Sequence, residues 1–166
     1  MDAKTKIILG INQGTRYMGF AVISGTVLRD WKVKTLKGRW SKAKLKHAVR
    51  MIQRIIDHYQ PAAIALKRLN PCRSSRSLRT LTANICKIAK TNRIKISEFS
   101  ISDLRRHHSG EQTVRNKKQL AEVLASQYPD LYFELEKEKR NRNPYYMRMF
   151  EAVALAAILN DKSHDS

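Results

Sequence analysis

Two neighbouring stretches, ILGINQGTR at residues 8–16 and GFAVI at residues 19–23, decide the fold. Both contain apolar runs, and a Gly-containing turn separates them, which is typical of a β-hairpin. Strands are therefore predicted over Lys6–Ile11 and Tyr17–Ile23. The alternating pattern of Thr26–Leu36 adds a third strand, so that the N-terminal part forms an antiparallel meander.

Helices and strands alternate in the middle of the chain. Ser41–Tyr59 carries apolar residues on one helical face and cations on the other, and Arg76–Lys90 repeats this separation. The apolar run Ala62–Leu66 between them suits a buried strand reached by a helical crossover, and Arg93–Phe99 is predicted as another strand. This order predicts a mixed α/β fold with a central sheet covered by helices.

Helical patterns and a charged stretch follow. A short helix is predicted to begin at Ser102, and a longer one covers Asn116–Tyr128. Leu135–Arg142 is charged and low in apolar residues. We expect this segment to be mobile, because it offers little to a core.

The last helix has a recognisable start. Asn143 suits an N-cap and Pro144 suits the first helical position. The helix is predicted to run to about Asn160. We expect a single domain over residues 1–160 and a flexible C-terminal tail over residues 161–166.

The net charge of +19, from 33 Lys and Arg against 14 Asp and Glu, is the strongest compositional signal. Up to residue 97 only three residues are acidic, against 22 basic ones. So basic a chain repels itself and attracts polyanions, most commonly nucleic acid. General solubility charge is an alternative, but soluble surfaces usually mix both signs. A membrane surface is disfavoured, because the basic helices also carry full core-facing stripes.

The sequence lacks the marks of secreted and membrane proteins. It contains no apolar run of about 18 residues, and its N-terminal apolar stretch is too short for a signal peptide. Cys72 and Cys86 have no metal-type Cys/His spacing around them and make no disulfide framework. We expect a cytoplasmic protein with no membrane partner.

The opening hairpin resembles that of the RuvC-type Holliday junction resolvases, where an I-G-I-D-P-G strand precedes a G-(F/Y)-(A/G)-V-(I/L) strand. Ala63–Lys67 is similar to the family's apolar strand that ends in Glu, and an Arg-rich helix follows here as well. Phe150–Ile158, FEAVALAAI, resembles the last catalytic helix, D-A-A-D-A-L-A-I-A. Lesser similarities lie between these motifs, at Ser97–Phe99, Leu104–Arg106, Gly110 and Lys117–Lys118.

The resemblance implies a ribonuclease H-like fold, with a five-stranded mixed sheet flanked by helices. It also implies a homodimer that acts on branched DNA through two Mg²⁺ ions about 3.5–4 Å apart. Magnesium requires hard oxygen ligands, which the family supplies as four acids. The positions of these acids fall here on Asn12, Lys67, Arg148 and Glu151. Only Glu151 is acidic.

These replacements reverse the charge of the inherited site. Four acids would carry −4, whereas the four residues here carry a formal +1. A unit charge pair at about 4 Å is worth about 4 kcal/mol at an effective dielectric constant of about 20, so Lys67 would oppose each Mg²⁺. We therefore predict that the site cannot hold two metals and that the chain needs no cofactor. In this hypothesis Lys67 takes the place of the metal beside Glu151, and Arg148 shares Glu151 from three residues away.

Cations that surround the inherited site are the predicted nucleic-acid contacts. Some follow the central strand, and others match the basic positions that the family places after its fifth strand and at the next helix. The set is Lys67, Arg68, Arg73, Arg76, Arg79, Arg105, Arg106, Lys117 and Lys118. His107 and His108 are predicted to be surface or phosphate-contacting residues, and Trp40 and Tyr145 are candidates for base stacking.

Three functions remain open from the sequence. The leading hypothesis is a catalytically inactive RuvC-like protein that grips structured or branched DNA, such as a four-way junction, or RNA. The second is an active metal-dependent junction endonuclease that uses rearranged carboxylates from Glu98, Asp103, Glu111 and Glu151. The third is a non-enzymatic interaction subunit whose basic face meets an acidic protein.

Overall fold

The computed structural model describes residues 5–110, 113–140 and 146–164. Its centre is a five-stranded mixed sheet with strand order β3-β2-β1-β4-β5. The first three strands form the predicted antiparallel meander, and β4 and β5 are added parallel to β1. The strands are β1 (Ile7–Asn12), β2 (Tyr17–Ser24), β3 (Val27–Thr35), β4 (Ala63–Lys67) and β5 (Lys95–Phe99).

Six α-helices cover this sheet in the described residues. Ser41, Ser75, Ser100 and Asn116 each cap a helix by accepting a hydrogen bond from a backbone amide of its first turn. A 3₁₀ turn, Pro129–Leu131, joins the fourth and fifth helices. The helices are α1 (Lys42–Tyr59), α2 (Arg76–Thr91), α3 (Ile101–His108), α4 (Lys117–Gln127), α5 (Tyr132–Arg140) and α6 (Met147–His164).

The sheet separates two hydrophobic clusters. Helices α1 and α2 pack on one face, and α6 packs on the other with α3, α4 and α5 around it. Helix α6 lies directly against β1 and β2 because two glycines leave room for it. A Cβ atom on Gly10 would overlap the Ala152 carbonyl oxygen, and one on Gly19 would overlap the Arg148 carbonyl oxygen. The close approach places the first turn of α6 beside the end of β1.

Two predictions about the C-terminal region are wrong. Tyr132–Arg140 is helix α5, so the segment predicted to be mobile is mostly helical. Its Leu135 is 5% exposed and anchors α5 in the core. Helix α6 continues four residues beyond Asn160, into the stretch predicted as a tail. The predicted helix start at Asn143 and Pro144 lies outside the described residues.

None of the described helices is long and apolar enough to span a membrane.

Candidate nucleic-acid interface

One edge of the sheet collects the residues that the sequence singles out. Strands β1 and β4 are parallel, so their carboxyl ends, with Asn12 and Lys67, meet at the same edge. Helix α6 begins there and brings Arg148 and Glu151 on successive turns. Asn12 donates a hydrogen bond to the Arg148 carbonyl oxygen at 3.2 Å and so ties β1 to this turn. We call this the sheet edge.

Glu151 is the buried centre of the sheet edge. Its side chain is 2% exposed, and its Oε2 accepts a hydrogen bond from Asn12 Nδ2 at 2.7 Å. Lys67 Nζ lies 3.5 Å from the same oxygen, and Lys117 Nζ lies 3.1 Å from Oε1. One carboxylate is therefore matched by two ammonium groups and one side-chain amide.

The second partner of Glu151 differs from the prediction. Lys117, at the start of α4, pairs with Glu151, whereas the Arg148 guanidinium has no acidic partner within 4 Å among the described residues. Helix packing explains this outcome, because α4 lies on α6 and brings its first turn over the carboxylate. Arg148 is left with an uncommitted guanidinium.

Gln13, which the sequence prediction assigned to a turn, fixes the position of Lys67. Its side chain is 2% exposed and lies between β1 and β4. Gln13 Nε2 donates to the Lys67 carbonyl oxygen at 2.9 Å, and its Oε1 accepts from the Lys67 amide at 3.2 Å. Nε2 also lies 3.3 Å from Thr82 Oγ1 on α2. This side-chain amide extends the sheet hydrogen bonds by one pair and holds Lys67 facing Glu151.

A cleft of about 530 Å³ opens next to this cluster. Arg148 is half-buried in the wall of this cleft. A Cβ atom on Gly14 would lie 3.1 Å from Arg148 Nη1, so the absence of a side chain at Gly14 makes room for the guanidinium. Polar groups from four elements complete the cleft, including Gln13, Lys67, Arg68, Asn70 and Ser100. A planar guanidinium that pairs with no acid of residues 5–110, 113–140 and 146–164 is suited to bind an oxyanion through two parallel hydrogen bonds.

The predicted contacts on α2 and before it remain open to solvent. Arg73, Arg76 and Arg79 are exposed, and no ion pair with an acid is formed by any of them among the described residues. Arg68 is exposed too, but it lies 3.9 Å from Asp103 Oδ2 and donates to the Glu98 carbonyl oxygen at 3.3 Å. Arg73, Arg76 and Arg79 are therefore more available to phosphates than Arg68 is.

The cations of α3 and α4 are more constrained. Arg106 is exposed and lies 3.7 Å from Asp103 Oδ1, and Arg105 is half-buried. Lys117 is committed to Glu151, whereas Lys118 is exposed beside α5. Asp103 also closes the capping box of α3. The hydrogen bond from the backbone amide of Ser100 is the main reason why the pKa of Asp103 lies below its ordinary value.

The two histidines at the end of α3 have different roles. His107 is exposed and lies 2.8 Å from Asp161 Oδ2. His108 is 6% exposed, and its Nε2 lies 3.3 Å from the Ala154 carbonyl oxygen. Burial lowers the pKa of His108 from its ordinary value, although the hydrogen bond to Ala154 opposes this. His108 is a core residue, so the prediction that it is a surface residue is wrong.

Of the stacking candidates, Trp40 is half-buried against the α1 and α2 cluster, and Tyr145 lies outside the described residues.

Comparison with known proteins identifies the family. The family model described as crossover junction endodeoxyribonuclease RuvC matches residues 8–128. The chain belongs to the RuvC family. The curated proteins compared with it include no significant match.

Solved structures show that the RuvC fold extends over nearly the whole chain. Thermus thermophilus RuvC in complex with a Holliday junction substrate aligns with a TM-score of 0.74 at 12% identity, covering 97% of this chain and 96% of that one. The yeast mitochondrial Holliday junction resolvase Ydc2 gives 0.70 at 10% identity, over 95% and 78%. Fowlpox virus resolvase with substrate Holliday junction DNA gives 0.62 at 15% identity, over 95% and 98%. The predicted ribonuclease H-like, RuvC-like fold is confirmed.

The residues at the sheet edge do not fit the two Mg²⁺ ions that the RuvC family implies. The oxygen donors at the centre are the Glu151 carboxylate and Asn12 Oδ1, and two ammonium groups stand within 3.5 Å of that carboxylate. Two magnesium ions need several carboxylate oxygens in near-octahedral arrangement. Within the described ranges, no three His, Cys, Asp or Glu side chains gather into a group that could hold a metal. Glu98, Asp103 and Glu151 thus do not form such a group, and Glu111 lies outside the described residues.

Proposed function

We propose that this RuvC-family chain binds branched DNA through the sheet edge and does not cleave it. The observation that carries the proposal is the state of Glu151, whose buried carboxylate is held by Lys67, Lys117 and Asn12. Ammonium groups of the protein itself therefore face both oxygens of the carboxylate that the resemblance assigns to the metal site. A metal ion at this carboxylate would have to displace these ammonium groups or bear their repulsion.

Electrostatics favours a phosphate in the adjacent cleft. With Lys117 counted, the cluster of Asn12, Lys67, Arg148, Glu151 and Lys117 carries a formal +2. Arg148 keeps its guanidinium directed at the cleft, and Arg73, Arg76 and Arg79 extend the positive surface along the start of α2. Contacts of Lys and Arg with phosphates give affinity and orientation and read no bases. The expected specificity is therefore for the shape of the nucleic acid.

Branched DNA is the favoured ligand because of the relatives. Thermus thermophilus RuvC and fowlpox virus resolvase are both described with Holliday junctions. The fold shared over nearly the whole chain supports a junction phosphate as the occupant of the cleft. Binding requires no metal in this proposal, because cations of the chain neutralise the phosphates.

The proposal is tested with a four-way junction and a linear duplex of equal length, each measured by fluorescence anisotropy over a range of salt. Affinity should fall steeply with salt, by about 0.9 log unit per log unit of salt for each phosphate neutralised. Arg148→Gln should reduce that slope by about 0.9. It should also weaken binding about tenfold, a change of about 1.4 kcal/mol. Lys90→Gln is the matched control, since Lys90 is an exposed cation in the last turn of α2.

The alternatives give different results in the same experiment. An active nuclease would cut the junction with Mg²⁺ or Mn²⁺ and lose this activity in Glu151→Ala. An interaction subunit would bind DNA weakly, with equal effects of Arg148→Gln and Lys90→Gln. Either outcome would overturn the proposal.

A further inference from the structure

A second cationic surface lies where β3 leads into α1. Lys37, Arg39, Lys42 and Lys46 are all exposed there, and we call these four residues the β3–α1 corner. They belong to a segment, residues 34–54, with eight lysines and arginines and no acidic residue. The family resemblance assigns no contact to this surface.

No acidic group of the described residues neutralises the cations of the β3–α1 corner. Among the described residues, none of the four has an acidic group within 4 Å. The backbone beneath them is held firmly, because Lys44 Nζ donates to the Gly38 carbonyl oxygen at 2.6 Å and Ser41 caps α1. Like charges on a fixed backbone repel one another, and a polyanion relieves this repulsion.

The β3–α1 corner lies at the sheet edge that also holds the cleft. β3 runs parallel to β1, since both are antiparallel to β2, and the Leu36 amide donates to the Arg16 carbonyl oxygen at 2.8 Å. The ends of β3 and β4 are three strand spacings apart, which is about 14 Å. The B-DNA major groove, which the two phosphate backbones border, has a similar width of about 12 Å.

We infer that the β3–α1 corner binds one phosphodiester strand of a DNA duplex while the cleft binds the other, so that the sheet edge spans a major groove. The inference rests on the proposed function, because it takes DNA as the ligand of the cleft. Arg16 is exposed on the turn between the two surfaces, where its guanidinium lies 5.4 Å from the centroid of the Tyr17 ring. A second copy of the chain is a poorer occupant, because each copy carries a net charge of +19.

The test compares two double variants that remove equal charge. Lys42→Gln/Lys46→Gln changes the β3–α1 corner. Lys87→Gln/Lys90→Gln is the control, because α2 begins beside the cleft and runs about 20 Å away from it before its last turn. All four lysines are exposed and helical, and glutamine has a similar helix propensity. Each protein is titrated with a short duplex for stoichiometry and salt slope. The contacted phosphates are mapped by ethylation interference on the arms of a four-way junction, because its branch point fixes the register of a protein that reads no bases.

The inference predicts one duplex per chain in every variant and two clusters of interfering phosphates, on opposite strands across the major groove. The corner variant should lose one cluster, and its salt slope should fall by about 1.8 while the control keeps both. It is overturned if the corner variant behaves like the control, if both clusters lie on one strand, or if the corner variant loses a second, separately bound duplex. Failure of the proposed function looks different, because Arg148→Gln would then leave binding unchanged.

Discussion

Replacing Glu151 by glutamine separates a role in charge balance from a role in catalysis. The substitution keeps the shape of the side chain and one acceptor oxygen, so Asn12 can still donate its hydrogen bond. It removes the charge that Lys67 and Lys117 face at 3.5 and 3.1 Å. Nucleic-acid affinity should be retained or rise, because the sheet edge becomes more positive by one charge.

The loss of stability follows from the exposure of the partners. The lysine side chains are 29% and 52% exposed, so each regains water when its pair is lost, and each pair contributes up to about 1 kcal/mol. The charge-assisted bond from Asn12 is buried, and its weakening to a neutral bond costs about another 1 kcal/mol. Glu151→Gln should thus lower the free energy of unfolding by about 2–3 kcal/mol, equivalent to about 5–10 °C in Tm for a domain of this size.

Urea denaturation measures this change, and anisotropy measures junction binding by the folded variant. Glu136→Gln is the control, because Glu136 is 59% exposed and pairs with Lys139 at 3.5 Å on the surface of α5. Its effect should stay below about 0.5 kcal/mol. Equal losses of stability in the two variants, or a folded Glu151→Gln that no longer binds a junction, would show that Glu151 does not act through charge balance with the two lysines.

Three further substitutions test the fold around the sheet edge. Burial lowers the pKa of His108, so on acidification the unfolded chain takes up a proton at this residue before the folded protein does. The contribution of His108 to stability is therefore complete above about pH 6.5 and is lost as the pH falls towards the folded pKa. Thermal unfolding from pH 8 to 5 should show a weaker pH dependence in His108→Asn than in the wild type, and equal slopes would contradict this. Ser100→Ala removes the cap of α3 and should cost about 1 kcal/mol in urea denaturation, whereas exposed Ser102→Ala should not destabilise. Gly10→Ala forces a Cβ into the α6 backbone and should lower the free energy of unfolding by about 1–3 kcal/mol or more. At the control Gly110→Ala the added Cβ meets open space. Equal losses of stability in the two variants would count against the close packing of α6 on Gly10.

The sheet was predictable because each strand carries its own signal. The hairpin around Asn12 has an apolar run on either side of a Gly-containing turn, and the structure places β1 and β2 within one residue of the prediction. Lys67 was placed correctly at the end of its strand because the apolar run Ala63–Leu66 fixes the register. Local sequence determines these features, so the sequence alone is enough to predict them.

Partner choice at the sheet edge was not predictable in the same way. Arg148 has the right helical spacing from Glu151, but Lys117, which is distant in sequence, reaches the carboxylate because α4 packs on α6. The helical structure of α5 was equally hard to predict, because its sequence is charged and low in apolar residues. Buried Leu135 and the hydrogen bond from the Tyr146 amide to Glu138 hold this helix in place. Such contacts depend on tertiary packing, for which the sequence carries no periodic signal.

In the proposed complex, lysines and arginines of the sheet edge hold the DNA without metal ions. This is checked by measuring the affinity for a four-way junction, and the integrity of that junction, as Mg²⁺ is raised from zero in the presence of the wild-type chain. We expect tight binding without Mg²⁺, weaker binding as Mg²⁺ competes for the phosphates, and an uncut junction throughout. Binding that needs Mg²⁺, together with cleavage that disappears in Glu151→Gln, would contradict it.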